Sequence, residues 1–226
     1  MNYVAGDLRD QLAHVGYDVV RGGLVVGSGG NLSAREPGED VCWVTAAGTW
    51  LDRLERPSFA RVSIADGSPV PDEFDPAGQR VPPPTTELAL HLATYRARPD
   101  VNAVVHLHPQ TVVLLDALGE RIRLVTTDHA AYVRRVVTIP FHAPGTPELA
   151  AAAATAAADG ANCIVLAHHG CSVLAASVEM AHRRARNLEE AAQMTYRAYA
   201  VGALATLPEC PSEFVERLSR GPSIAA

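Results

Sequence analysis

Apolar residues recur along this chain with two spacings, and the two spacings alternate from segment to segment. From Leu8 to Val19 they repeat every three or four residues, which predicts an amphipathic helix that ends at the following Gly-Gly pair. Residues 24–35 predict two short strands joined by a glycine-rich turn, and residues 41–45 predict a third strand. Residues 66–84 are rich in Pro, Gly and Asp and predict a loop with at most one short strand.

The middle of the chain continues this alternation. Thr85 or Thr86 can cap a helix that runs to about Ala97, where an Arg-Pro pair closes it. Three further elements are predicted: a buried strand at 103–107, a helix at 111–118 and a β-branched strand at 136–139.

The last third predicts a helix, two strands and a long helix. The first helix begins at Thr146-Pro147-Glu148, a cap followed by proline and an acidic residue, and ends at Gly160. The strands are predicted at 164–167 and 171–175. Ser177 can cap the long helix, whose inward face is Val178, Ala181, Ala185, Leu188, Ala192 and Tyr196. We therefore expect a single α/β domain over residues 1–226, with helices around a mixed or antiparallel sheet, a core at about 8–205 and a short C-terminal tail.

Composition describes an ordinary globular protein of 226 residues, 48% hydrophobic and 19% charged. The net charge of -6 argues against nucleic acid as a partner. No apolar run reaches the roughly 18 residues that span a bilayer, and the first residues do not form a signal peptide, so we expect no membrane partner and a cytoplasmic protein. Four cysteines lack metal or redox spacing and are expected to be buried thiols: Cys42, Cys163, Cys171 and Cys210.

A His-x-His pair ends the strand predicted at 103–107. Residues two apart on a strand point to the same face, so His106 and His108 would present their imidazoles side by side. Imidazole is the commonest zinc ligand, and catalytic zinc usually takes three protein ligands and leaves a fourth position open. His168 or His169 can supply the third ligand; His169 would share a strand face with the preceding apolar residues, and His168 would point the other way. The other histidines lack such spacing and are interpreted as structural.

Glu87 falls in the first turn of a predicted helix, where unpaired N–H groups and the helix dipole favour anions. The hydroxyls of Thr85 and Thr86, with the adjacent N–H groups, could hold a phosphate, and Glu87 could lie ionised next to a metal. The turn at residues 27–31 adds N–H donors without side-chain obstruction, as anion-binding nests do. It lacks the third glycine of the dinucleotide-binding fingerprint.

In this order, the motifs resemble the class II aldolase/adducin superfamily, and within it the bacterial L-fuculose-1-phosphate aldolases and their relatives. The resemblance runs from about Leu8 to Tyr199. The segments that carry it are Gly27-Ser28-Gly29-Gly30-Asn31-Leu32-Ser33-Ala34-Arg35, Thr45-Ala46-Ala47-Gly48, Pro84-Thr85-Thr86-Glu87, the block from Arg98 to Pro109, the block from Ala143 to Leu149, and His168-His169-Gly170.

The resemblance implies a divalent metal, usually zinc and one per subunit, held by three histidines that match His106, His108 and His169. It implies that Glu87 is the catalytic acid/base, which can also ligate the vacant metal. It implies a phosphorylated sugar as substrate and a homotetramer with active sites at subunit interfaces. Phosphate contacts carry over to Ser28, Gly30, Asn31, Gly48, Thr85 and Thr86.

The implied activity is that of a zinc-dependent aldolase. Such an enzyme cleaves a ketose 1-phosphate, for example L-fuculose 1-phosphate, to dihydroxyacetone phosphate and an aldehyde through a metal-stabilised enediolate. The chain has no lysine, which excludes a Schiff-base mechanism. The alternatives are a sugar-phosphate dehydratase, decarboxylase or 4-epimerase of the same superfamily; the epimerases tend to carry Asp where this chain has Glu87. A non-catalytic adducin-like scaffold is disfavoured by the retained glutamate and three histidines.

Two positions depart from the family pattern. The Thr-Pro-Ser/Thr-Gly turn is here Thr45-Ala46-Ala47-Gly48, which removes a phosphate-binding hydroxyl at Ala47. The tyrosine that aldolases contribute from a neighbouring subunit should fall near Thr126, where this chain has none, and Tyr132 or His129 is a candidate replacement. These departures bear on the identity of the sugar more than on the metal.

Overall fold

The computed structural model describes residues 3–72 and 81–220, which contain both helices and strands. The helices are α1 (Leu8–Arg21), α2 (Leu88–Ala97), α3 (Gln110–Ala117), α4 (Pro147–Ala158), α5 (Val178–Ala200) and α6 (Ser212–Arg220). The strands are β1 (Asn31–Ala34), β2 (Val41–Thr45), β3 (Phe59–Ser63), β4 (Ala103–Leu107), β5 (Val136–Ile139), β6 (Cys163–Leu166) and β7 (Gly170–Ala175).

These strands form one sheet in the order β3-β2-β1-β4-β7-β6-β5. Neighbouring strands are antiparallel except β5 and β6, which run parallel. The predicted class, α/β with a mixed central sheet and flanking helices, is therefore confirmed.

Alternation along β4 shows how the helices divide between the two faces of the sheet. Val105 and Leu107 belong to one core cluster, which also contains residues of α1, α3 and α5. Val104 belongs to a second cluster on the other face, with residues of α2 and α4. His106 is two residues after Val104 on the same strand, so its imidazole points to the same face of the sheet, into the layer that contains α2.

The predicted caps of the two late helices are present. The Thr146 hydroxyl accepts the Leu149 N–H at the start of α4, and the Ser177 hydroxyl accepts the Met180 N–H at the start of α5. Each such cap satisfies a backbone donor that the helix leaves unpaired and typically stabilises the protein by about 1 kcal/mol.

Two local expectations are wrong. Leu24 and Val25 are buried but form no strand, because the Leu24 N–H bonds to the Val19 carbonyl and closes α1 instead. Tyr196 does not belong to the inward face of α5, since 37% of it is exposed. The remaining predicted inward residues of that helix are buried.

The start of α2 also differs from the prediction. This helix begins at Leu88, not at Thr85 or Thr86, and Glu87 is the residue that precedes it. The physical reason is that the Thr85 N–H bonds to the carbonyl of Thr45 at the end of β2, which holds this segment against the sheet. Glu87 is thereby placed at the junction of sheet and helix.

The sequence-based expectation also missed the strand β3, a π-helical turn at His129–Val133 and the helix α6. Within the predicted loop at 66–84, residues 73–80 lie outside the described residues. Residues 66–72 and 81–84 form isolated bridges but no strand. All four cysteines are buried, as expected. None of the described helices combines the length and apolarity needed to cross a bilayer.

Candidate metal centre

Three imidazoles and one carboxylate converge at one end of the central sheet. They belong to Glu87, His106, His108 and His169, whose candidate ligand atoms all lie within 4.8 Å of one another. His106 is near the end of β4, His108 follows that strand, and His169 lies in the turn between β6 and β7. Glu87 approaches from the start of α2. The four residues predicted to form the site therefore meet in space.

The turn that carries His169 depends on two backbone features. His168 has a φ of 57°, in the left-handed region, so the chain reverses sharply just before His169. A Cβ atom at Gly170 would lie 2.3 Å from the Leu107 carbonyl oxygen and 2.6 Å from the ring of His108. Glycine is required at this close approach. The His169 ring then lies 5.0 Å, centroid to centroid, from His108, whereas His168 is exposed.

The spacing of the donor atoms fits a divalent metal. His106 Nε2 lies 3.0 Å from His108 Nε2 and 3.1 Å from Glu87 Oε2, and His169 Nε2 lies 3.5 Å from Glu87 Oε1. Ligands at about 2.0–2.1 Å around a tetrahedral zinc ion lie about 3.3 Å from one another, which these separations approach. Glu87 Oε1 is buried without a hydrogen-bond partner among the described residues, as expected of an atom that faces a ligand.

Burial favours the neutral form of the imidazoles, which is the form that binds metal. Burial and the charges of His106 and His169 lower the pKa of His108 to about 4, and burial and His106 lower the pKa of His169. Burial acts to raise the pKa of Glu87, but hydrogen bonds from His106 and Asn31 and the nearby imidazole charges outweigh it and lower this pKa to about 2. At neutral pH the site therefore presents the Glu87 carboxylate beside neutral imidazoles at His108 and His169.

A cavity of about 350 Å³ opens next to this cluster and is lined by Glu87, His108 and His169. No arginine is present among the described lining residues, so the donors facing the cavity are backbone N–H groups, hydroxyls and the Asn31 amide. The lining also includes every residue predicted to contact phosphate: Ser28, Gly30, Asn31, Gly48, Thr85 and Thr86.

The two candidate replacements for the missing tyrosine lie elsewhere. His129 is fully buried, its Nδ1 accepts two backbone N–H bonds and its Nε2 lies 3.3 Å from Glu190. Tyr132 lies beside Arg183, whose guanidinium carbon is 5.8 Å from the ring centroid. Neither residue is part of the cavity lining in its own chain.

Sequence reasoning missed a buried group behind Glu87. Asn31 Nδ2 donates to Glu87 Oε2 at 2.9 Å, and Asn31 Oδ1 lies 2.5 Å from His91 Nε2. His91 has no metal-ligand spacing, so the sequence alone indicates an ordinary structural histidine. The signal that could have found it is its position four residues after Glu87, a spacing that places the two side chains on the same side of the start of α2.

We expect the metal-free protein to lose stability below about pH 6.5, in part through His91. Burial, together with the charge of His106, lowers the pKa of folded His91 to about 3, whereas an unfolded histidine titrates near 6.5. Between these values the unfolded chain binds a proton that the folded chain does not, which costs about 1.4 kcal/mol per pH unit. Urea unfolding should therefore show a smaller loss between pH 6.5 and 5 for His91→Gln than for the wild type. Equal losses would contradict this assignment.

The order of these residues matches a known family over most of the chain. Residues 10–196 match the sequence profile described as Class II Aldolase and Adducin N-terminal domain. This chain belongs to that family. The match extends from α1 into α5 and so includes all four residues of the candidate metal centre.

Known members of the class II aldolase family resemble this chain at moderate identity. An L-fuculose phosphate aldolase from Methanocaldococcus jannaschii is 30% identical over 171 residues, which cover 76% of this chain and 86% of the relative. A 3-oxo-tetronate 4-phosphate decarboxylase from Cupriavidus necator is 31% identical over 192 residues, covering 83% of this chain and 82% of the relative. A solved structure of an L-fuculose 1-phosphate aldolase has a TM-score of 0.81 and 25% identity, with 96% of each chain covered.

Membership of the class II aldolase family makes this protein a metal-dependent lyase. Class II aldolases use a divalent metal, and the Glu87, His106, His108 and His169 cluster could bind one. Because the relatives include a decarboxylase as well as an aldolase, family membership alone leaves the individual reaction open.

Proposed function

We propose that this protein is a zinc-dependent aldolase that cleaves a ketose 1-phosphate, such as L-fuculose 1-phosphate, to dihydroxyacetone phosphate and an aldehyde. The observation that carries the proposal is that the cluster of Glu87 and three histidines adjoins a cavity lined by hydroxyls and glycine backbone. Such a lining suits a phosphate, whose oxygens accept N–H and O–H hydrogen bonds. The aldolase relative supports a sugar phosphate as the substrate class.

His106, His108 and His169 would hold the zinc ion, with Glu87 at the same site. Three protein ligands leave a coordination position for the substrate, as in other catalytic zinc sites. A bound zinc ion would supply a Lewis acid for the negative charge that develops on the carbonyl oxygen of the substrate.

Glu87 would act as the acid/base at the carbon next to that carbonyl. Its low pKa keeps it ionised and therefore able to accept a proton. Oε2 is held by Asn31, whereas Oε1 has no hydrogen-bond partner among the described residues. Oε1 would take a proton from dihydroxyacetone phosphate in the synthetic direction and return it to the same carbon in the cleavage direction.

The substrate phosphate would be anchored at the other end of the cavity by neutral donors. Gly48 has a φ of 74° and carries no side chain that would obstruct an approaching oxygen, and Thr86 is exposed to the cavity. Anchoring the phosphate would orient the reacting carbon against Glu87 and so convert remote binding energy into alignment. The full set of proposed contacts is Ser28, Gly30, Asn31, Gly48, Thr85 and Thr86.

The same proposal includes a homotetramer with active sites at subunit interfaces. It is supported by the family resemblance and by the cavity lining, which includes no tyrosine among the described residues. The side chain that acts as general acid for the sugar hydroxyl would then come from a neighbouring subunit. Light scattering of the purified protein should give about four times the 23.9 kDa mass of one chain, and a monomeric mass would contradict this assembly.

A substrate screen tests the proposed reaction. Zinc-loaded protein would be incubated with ketose 1-phosphates, L-fuculose 1-phosphate first, and release of dihydroxyacetone phosphate would be followed by a coupled reduction. The same ketoses without phosphate are the matched controls and should give no measurable release. If no ketose 1-phosphate released dihydroxyacetone phosphate, the proposed function would be wrong.

A decarboxylase is the second candidate, because the Cupriavidus necator relative is 31% identical over most of both chains. Because this chain resembles an aldolase and a decarboxylase at similar identity, the resemblance does not separate the two reactions. The two reactions would be separated by comparing carbon dioxide release from 3-oxo-tetronate 4-phosphate with dihydroxyacetone phosphate release in the same preparation.

Replacing Thr86 with valine should raise KM for the phosphorylated substrate about 10-fold and leave kcat nearly unchanged. The change removes one hydroxyl from the cavity while keeping the side-chain shape, and a hydrogen bond to a charged group is typically worth about 1.5–3 kcal/mol. Thr155→Val is the control, because that hydroxyl donates within α4 to Ala151. An unchanged KM would remove Thr86 from the phosphate site.

Replacing Ala47 with serine should lower KM for the phosphorylated substrate about threefold to tenfold. Ala47 lines the cavity where the family pattern has a hydroxyl, so the variant would add one donor for the phosphate. Ala47→Val, which adds bulk without a hydroxyl, should not lower KM. Equal effects of the two substitutions would contradict a phosphate contact at this position.

A further inference from the structure

Five hydrogen-bonded side chains form a line from Glu87 into the layer between the sheet and α2. Asn31 Nδ2 lies 2.9 Å from Glu87 Oε2, and Asn31 Oδ1 lies 2.5 Å from His91 Nε2. His91 Nδ1 lies 2.7 Å from Ser33 Oγ, which in turn lies 2.7 Å from the Tyr95 hydroxyl. None of the five is more than 6% exposed, and Ser33 and His91 are completely buried.

The line is built from two regular spacings. Asn31 and Ser33 are two apart on β1 and point to the same face of the sheet. His91 and Tyr95 are four apart along α2 and share one face of that helix, and Glu87 precedes the helix at the same four-residue spacing. Packing this helix face on that strand face brings all five side chains together.

Hydrogen bonds along this line have one consistent direction when Glu87 is ionised. The carboxylate accepts, so Asn31 donates through its amide nitrogen and presents its oxygen to His91. His91 must then donate from Nε2, which leaves Nδ1 as an acceptor for the Ser33 hydroxyl. Ser33 accepts in turn from the Tyr95 hydroxyl. Every donor along the line has one acceptor.

We propose that His91 is a positioning residue for Glu87: its Nε2–H fixes the Asn31 amide so that the nitrogen, not the oxygen, faces the carboxylate. This inference rests on the acid–base role proposed above for Glu87. A reversed Asn31 amide would set its oxygen against Oε2 and lose a charge-assisted hydrogen bond. With Oε2 held, Oε1 stays on the side of His169, 3.5 Å from its Nε2, where the substrate would react.

A purely structural role would have different consequences. If the line served only to hold β1 against α2, loss of His91 would lower stability but leave the turnover of the folded enzyme unchanged. A positioning role predicts lower turnover in enzyme that is folded, loaded with zinc and saturated with substrate. The two roles therefore differ in kcat.

The first test compares two substitutions at the same position. His91→Leu should lower kcat about 10-fold to 100-fold, the range typical of residues that orient metal-site groups, and change KM and zinc affinity less than about twofold. His91→Gln retains one donor and one acceptor and should recover most of the lost kcat. Full kcat in folded His91→Leu, or no recovery in His91→Gln, would overturn the proposal. The assay uses whichever lyase substrate the screen identifies.

A double-substitution cycle tests whether His91 acts through Asn31. In an Asn31→Leu background the amide is gone, so His91→Leu should have little further effect on kcat. The same fold-loss in both backgrounds would show that His91 does not act through Asn31, and the proposal would be wrong.

Nitrogen-15 NMR of the zinc-loaded wild-type protein tests the geometry without substrate or variants. The His91 ring should carry its proton on Nε2 and none on Nδ1, and the opposite tautomer or a doubly protonated ring would overturn the proposal. This readout separates the two hypotheses. The expected tautomer in a protein that releases no dihydroxyacetone phosphate would refute the aldolase alone, and an active aldolase with the opposite tautomer would refute the positioning role alone.

Discussion

Replacing Glu87 with glutamine should lower kcat about 1,000-fold while zinc stays bound. The variant keeps the shape of the side chain, and its amide oxygen can still accept the Asn31 N–H, but an amide cannot take up and return a proton at neutral pH. General acid–base groups typically contribute about 100-fold to 10,000-fold. Zinc should remain because His106, His108 and His169 are intact. Elemental analysis and kcat at saturating substrate measure the two properties separately.

The matched control is Glu179→Gln on the surface of α5. Glu179 pairs with Arg183 at 2.6 Å and lies outside the cavity lining, so this variant should keep full activity. A fully active, zinc-loaded Glu87→Gln enzyme would remove Glu87 from proton transfer. Loss of zinc from that variant would instead make the carboxylate an essential metal ligand.

Most of the helices and strands could be predicted because their signals are local. The cap and proline at Thr146-Pro147 place the start of α4, and the cap at Ser177 places the start of α5. The strands β4, β6 and β7 are buried along their whole length, so their largely apolar runs stand out from the flanking turns. The alternation of side chains along each strand then assigns each one to a face of the sheet.

Errors arose where a contact between distant segments decides the local structure. The Thr85 N–H bonds to Thr45, forty residues earlier, and delays the start of α2 in spite of two good capping residues. Leu24 and Val25 have strand-like side chains, but the backbone at Leu24 bonds to the preceding helix and pairs with no strand. Such hydrogen bonds leave no pattern in the adjacent sequence.

The same distinction applies to the site. The pairing of His106 with His108 follows from strand parity, which is a local rule. The choice between His168 and His169 could not be made that way, because both lie in a turn whose left-handed residue resets the direction of the chain. His91 escaped notice because its significance depends on Asn31, on a different element. The sequence signal for His91 is its four-residue spacing from Glu87.

Replacing His106 with alanine should abolish zinc binding and, with it, activity. His106 is completely buried, and its Nε2 lies within 3.1 Å of donor atoms of both His108 and Glu87. Removing a residue that only orients a metal ligand typically costs 10-fold to 100-fold in metal affinity, so loss of a ligand should cost more than about 100-fold. Calorimetric titration of chelator-treated protein with zinc measures this directly.

Unfolding with and without zinc gives a second measurement, and His182→Ala gives the matched control. Zinc at 100 times its Kd should stabilise the wild type by about 2.7 kcal/mol, and it should leave His106→Ala unchanged. His182 bonds to Asp18 at 2.7 Å, away from the cavity, so its replacement should lower stability but preserve the zinc response. If His106→Ala bound one zinc ion per chain with wild-type affinity, the assignment of His106 to the metal site would be wrong. Zinc retained in Glu87→Gln but lost in His106→Ala would separate the residue that moves the proton from those that hold the metal.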